Sequence, residues 1–188
     1  MKAFALTLAL ASFAASADHH SHDNTAGHGA HEHGHGQFNL VLDGDQLMLE
    51  LQAPAADLIG FEHKASSDAE KAQLKQALAR LNAADTLFTL SPDAACKLTE
   101  QQVEVGHDEH DHDHDAAHEQ DHDDHDGHEH ADVHATYTFT CAKPDALKGI
   151  TATLFGLYPT LQRLTVQGIV PGNQVAGELT PSDNTLSW

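Results

Sequence analysis

Apolar and polar residues alternate along most of the patterned chain, and a period of two predicts strands. In "FNLVL", Phe38, Leu40 and Leu42 fall on one face. "DGD" at Asp43–Asp45 is a tight hairpin signal, and in "LMLEL" Leu47, Leu49 and Leu51 again share a face. "LFTL" near Leu87–Leu90 and "QQVEV" near Gln101–Val105 predict further short strands. In the second half, "HATYTFTC" and the residue before it set Val133, Ala135, Tyr137, Phe139 and Cys141 on one face. "ITATLF", "LTVQGIV" and "QVAGELT" predict three more strands, broken by Pro144, Gly149, Tyr158-Pro159 and Pro171-Gly172. One helix is predicted, at about 67–82. Ser67 with Glu70 makes a capping box, and Leu74, Ala77, Leu78 and Leu81 form an apolar stripe at helical spacing. Asp68 and Glu70 in its first turn and Arg80 near its last suit the helix dipole. The expected fold is α+β, a mostly antiparallel sheet with one main helix. Each half opens with "HEH" (His31–His33, His128–His130) and runs through a strand to Pro54 or Pro144. A pseudo-repeat of the two halves is therefore a further expectation.

Composition changes this picture at the start and in the middle. Residues 1–17 carry Lys2, then the short apolar run "AFALTLALASFAA", then the small residues "ASA". That is the pattern of an export signal cleaved after Ala17, and the run is shorter than the roughly 20 residues of a membrane span. A mature domain of residues 18–188 is expected in the periplasm of a Gram-negative bacterium, not inserted in a membrane. The 188 residues carry a formal charge of −20 with 18 histidines counted neutral. Such a balance excludes nucleic acid and anionic membrane surfaces as natural partners and favours cations. Between His107 and His130 stand nine histidines and eleven acidic residues, with no Lys or Arg. A stretch of that kind cannot bury enough apolar surface to offset its ordering entropy, so residues 106–127 are expected to be a solvated, disordered loop. Its His107, His110, His112, His114, His118, His122, His125 and the adjoining His128 are candidate weak ligands. Neutral imidazole is the ligating form, so such binding weakens as pH falls below about 6.5.

Two cysteines, Cys96 and Cys141, flank this loop. In an exported chain an even pair favours a disulfide, while thiolate metal ligation is the competing reading. A bridge enclosing a loop of this size stabilises by about 4 kcal/mol on the chain-entropy argument.

Imidazole nitrogen and carboxylate oxygen are the ligands of zinc, and three ordered groups supply them. In "HEHGHG", His31, His33 and His35 take the face opposite Phe38. In "HADVH", His130, Asp132 and His134 take the face opposite Val133. If the two strands are neighbours, a four-coordinate site follows. "GFEH" adds Glu62 and His63, the latter standing outside the biased segments. The bland alternative is that these are the polar ends of strands in a His-rich chain.

These segments together carry a family likeness. The signal, "HEHG" before a strand, "APAADLIGFEH", Ala94–Cys96, the His/Asp/Glu-rich insertion, "HADVHATYTFTC", Leu154-Phe155 and Gln174–Thr180 resemble the ZrgA-like family. Those are bacterial, zinc-regulated, zinc-binding periplasmic proteins. The resemblance implies Zn2+ as the bound ion and participation in zinc uptake beside an inner-membrane ABC-type importer. It points to His31, His33, Glu62, His63, His130 and Asp132. Nickel, cobalt or copper is the alternative cargo. A zinc-dependent hydrolase is a weaker alternative, since no HExxH or GxSxG occurs, and no catalytic residue is assigned. A metal-independent adhesin, its histidines merely solvated, is another.

Overall fold

The computed structural model describes residues 32–107 and 130–188, with His107 described by its backbone alone. Strands β1 (His35–Asp43) and β2 (Gln46–Pro54) form a hairpin. Three helices follow: α1 (Ala55–Leu58), α2 (Asp68–Leu81) and α3 (Ala84–Leu87). Then come β3 (Phe88–Leu90), β4 (Cys96–His107), β5 (Ala131–Cys141) and β6 (Gly149–Ala152). The chain ends with β7 (Arg163–Val170), β8 (Asn173–Leu179) and β9 (Thr185–Ser187). Six strands make one sheet in the order β4-β5-β2-β1-β7-β8, and β3-β6-β9 make a second. All pairs are antiparallel except β1 with β7. The fold is α+β, mostly antiparallel, with one main helix, as the alternation and the stripe predict.

Alternation decides which face is inside. Phe38, Leu40 and Leu42 of β1, Leu47, Leu49 and Leu51 of β2, and Val133, Ala135 and Tyr137 of β5 are buried on one face of the large sheet. Asn39, Glu50, Thr136 and Thr138 lie on the opposite, wetter face, where the Asn39 amide donates to Glu50 at 3.1 Å. A bulge between Leu98 and Glu100 shifts the register of β4. Beyond it, Val103 and Val105 turn to the core side. The smaller sheet and α2 close the core through aromatic contacts. Phe88 of β3 stacks on Phe38 with ring centroids 5.0 Å apart and meets Tyr137 edge-on at 5.6 Å. The buried Tyr137 hydroxyl donates at 2.7 Å to the carbonyl of Leu81, the last residue of α2. Burial pushes this phenol above its ordinary range, which keeps it a donor.

Three details depart from the expectations. "ITATLF" is strand only through Ala152, and Thr153–Gly156 form a 3-10 turn. Leu154 and Phe155 are both buried, which consecutive strand residues on one layer cannot be. The C-terminal residues dock on the smaller sheet: β9 pairs with β6, and the Trp188 N–H donates to the Lys148 carbonyl at 3.1 Å. β4 runs through Gly106 and His107, paired with Asp132 and Ala131, so the strand reaches into the expected loop. The likeness of the halves does not extend to their elements, because among the described residues α2 has no counterpart after β5.

Cys96 and Cys141 face each other across the β4–β5 ladder and are disulfide-bonded. This removes thiolate ligation for both. The bridge lies at the end of the sheet where the Cys141 N–H donates to Asp45 of the β1–β2 turn. At the other end, His107 pairs with Ala131 and Pro54 with Asp132, and β1 begins at His35. Reducing the bridge, or replacing both cysteines by Ala, is expected to lower the unfolding free energy by about 2–4 kcal/mol in denaturant titration.

Candidate metal centre

Three segments meet at the end of the sheet away from the disulfide. The first is the turn before β1. The second leaves β2 through α1 and reaches Glu62. The third is the start of β5. Gly60 makes the second segment possible: its φ of +104° is a left-handed conformation, and the Gln73 side chain, donating to the Ile59 carbonyl at 2.6 Å, occupies the space where a Cβ would go. Phe61 packs against the core, which turns its neighbour Glu62 toward β5.

Glu62 is the centre of the arrangement. Its side chain is only 14% exposed, between two more open imidazoles. His130 donates from Nδ1 to Oε2 at 2.8 Å. His33 Nδ1 stands 3.7 Å from Oε1, an ion-pair distance too long for a hydrogen bond. Oε1 is enclosed and accepts no hydrogen bond from the described residues. A buried carboxylate oxygen in that condition calls for a partner, which a water or a cation can supply. With a carboxylate on Nδ1–H, the neutral ring of His130 carries its lone pair on Nε2. Carboxylates orient metal-ligating histidines in the same way.

The other candidates fall around this triad. His33 lies in a turn rather than on β1, so it does not share a strand face with His35. His35 instead pairs with Glu32 at 2.9 Å. The neighbouring-strand route to a site is also not the one taken, because β2 lies between β1 and β5. Glu62 bridges that gap. Asp132 accepts from the Gln52 amide at 2.9 Å, and His134 stands opposite Gln52 on one side and Glu104 on the other. His63 points the other way, to Glu70 of α2 at 3.1 Å, with its ring 5.0 Å from that of Phe61. His31, the side chain of His107, and His110, His112, His114, His118, His122, His125 and His128 lie outside the described residues. Among the described residues, no group of three or more His, Cys, Asp or Glu side chains is arranged as it stands to hold a metal ion.

Glu70 explains why His63 is held apart. Its Oε2 accepts from the Ser66 and Ser67 N–H groups, both at 2.8 Å, and from the Ser66 hydroxyl, while Oε1 takes His63. The two backbone bonds, then His63 and the Ser66 hydroxyl, hold this carboxyl well below the usual range. A carboxyl depressed in the folded state adds stability above its ordinary value of about 4.3, and that stability is lost as pH falls below it. Glu70→Gln should therefore lose less thermal stability than the parent between about pH 5 and 3, with α2 followed by circular dichroism.

Sequence reasoning missed Asp57. It is the only acid in the apolar stretch "APAADLIGF", and among the described residues the only buried acidic side chain. That isolation was the available signal.

A carboxylate between two imidazoles brings together residue types that ligate divalent cations. The chain belongs to the ZrgA family: the family model described as "ZrgA family zinc uptake protein" matches residues 30–188. No curated protein matches the chain. A role in zinc uptake follows from the family. Among the described residues no helix is long and apolar enough to cross a membrane.

Proposed function

We propose that the protein is a periplasmic zinc-binding protein that captures or buffers Zn2+ and hands it on for uptake by an ABC-type importer. The observation that supports this reading most strongly is Glu62, a nearly buried carboxylate shared by His33 and His130, with one oxygen left without a hydrogen bond. His33, Glu62 and His130 hold the ion in an ordered site. Asp132, His134 and His35 stand nearest in the chain to these residues and complete its surroundings. Zn2+ takes the space between the carboxylate and the imidazoles, which give up their contacts with each other for contacts with the ion. The chemistry is ligand exchange, with no bond made or broken in a substrate. The exported location rests on residues 1–17, and delivery to an importer rests on the family.

The strands around the site suggest how cargo arrives. β4 ends at His107 and β5 begins beside His130, so the His- and Asp-rich sequence joins the fold next to the triad. Its histidines gather ions weakly and raise their concentration at the ordered site. The donor set of two nitrogens and one oxygen also suits nickel and copper(II), so competition among divalent ions belongs in the test.

Zinc titration against a competing chelator tests the site. Glu62→Ala should lower affinity at the tight site by at least about tenfold, the lower end of the loss when a ligating histidine loses its carboxylate partner. His33→Ala and His130→Ala should lower it as much or more, and His63→Ala should leave it nearly unchanged. Replacing residues 108–129 by a short Gly-rich turn should reduce the number of ions bound and keep the tight site. Unchanged affinity in both Glu62→Ala and His130→Ala would sink the assignment.

A further inference from the structure

Asp57 carries one acceptor bond that links two ligand-bearing segments. It sits in α1, five residues before Glu62, and is 7% exposed. Its Oδ2 accepts the Gly34 N–H at 2.6 Å in a buried bond across 23 residues of sequence. Gly34 lies between His33 and His35, and its φ of +83° belongs to the left-handed region. The other side of the same residue is also held. The Gly34 carbonyl accepts from the Gln162 and Arg163 N–H groups at 2.8 and 2.9 Å, where β7 begins. The Thr160 hydroxyl donates to the Asp57 carbonyl at 3.0 Å, so the same connection that grips Gly34 also grips α1. A Cβ on Gly34 would come within 3.2 Å of the Thr160 carbonyl oxygen.

We infer that Asp57 is a positioning residue for the zinc site, acting through Gly34 to hold His33 against Glu62. This rests on the reading of His33, Glu62 and His130 as the ordered site. The argument is geometric. His33 is on an exposed turn and its 3.7 Å approach to Glu62 is not a hydrogen bond, so that pair cannot hold the turn in place. An anchor must come from behind. The Asp57 bond is short and shielded from water, and it ties this turn directly to α1. Its donor is a backbone N–H, so it fixes the peptide that sets the direction of the His33 side chain. It also joins that peptide to the short helix that leads to Glu62. Two donors from separate segments are thereby kept at a set separation before any ion arrives, and such preorganisation raises affinity.

Zinc affinity at the tight site, measured by chelator competition on the full chain, tests this through a double-mutant cycle. Asp57→Ala should weaken binding by about 10–100-fold, as the loss of outer-shell partners does. Asp57→Asn, whose amide oxygen can accept the same N–H, should recover most of that loss. In a His33→Ala background, Asp57→Ala should cost less than about threefold, because a residue that acts through His33 has nothing left to position. Additive losses in the cycle, wild-type affinity in Asp57→Ala, or a loss in Asp57→Asn equal to that in Asp57→Ala would each overturn the inference. If Asp57→Ala does not fold, Gly34→Ala takes its place, since it disturbs the same bond from the donor side. Wild-type affinity in His33→Ala alone would instead overturn the assignment of the site.

Discussion

Everything in this fold depends on the register of β2 between β1 and β5. Leu47, Leu49 and Leu51 pair with Leu42, Leu40 and Phe38 on one side and with Phe139, Tyr137 and Ala135 on the other. All of these lie on the buried face. A slip of one residue in either ladder would send a whole set of leucines into water and bring Met48, Glu50 and Gln52 inside. Burying or exposing a single leucine side chain is worth roughly 1.5–3 kcal/mol, so the wrong register is excluded by a wide margin. The candidate donors share this specification without contributing to it. Once β2 is in register, its far end delivers α1 and Glu62 to the start of β5, where His130 stands.

The triad shows the opposite balance. Glu62 is held in a place where one of its oxygens has no hydrogen bond from the described residues, and two exposed imidazoles provide only partial compensation. On the proposed reading such a group contributes little to folding and much to cation binding, because an arriving ion relieves a cost that the fold already carries. The formal charge of −20 extends the same bias over the whole chain, drawing cations in and discouraging anionic partners.

The sequence was most informative where burial enforces a period. The β1–β2 hairpin, β5, β7, β8 and the capping box of α2 were all legible, because alternation and helical spacing are local consequences of one wet and one dry face. The parallel pairing of β1 with β7 was not legible, since nothing in either strand records which distant strand lies beside it. The site was legible in part. The three donor segments could be named from residue type, but their convergence depends on the strand order and on the backbone conformations of Gly34 and Gly60. The partner of His63 was not legible. His63 stands apart from the biased segments and is bound to the cap of α2, where Glu70 supplies a strong local partner. Glu62, its neighbour, faces the other way because Phe61 anchors the segment in the core. Asp57 could not be assigned a role from sequence, because its partner is a backbone N–H.

The disulfide and His130 lie at opposite ends of the β4–β5 ladder, and that separation has a mechanical consequence. The bridge pins the ladder where the β1–β2 turn also meets it, while among the described residues the far end is held by ladder hydrogen bonds and by core contacts of residues such as Val103, Val105 and Val133. On the proposed reading, binding an ion asks the side chains of His33, Glu62 and His130 to rearrange, and an end distant from the bridge can allow that without disturbing the register of the sheet. Asp57 limits how far such an adjustment extends, by tying the His33 turn to α1. A sheet in fixed register then sets the distances between the three segments.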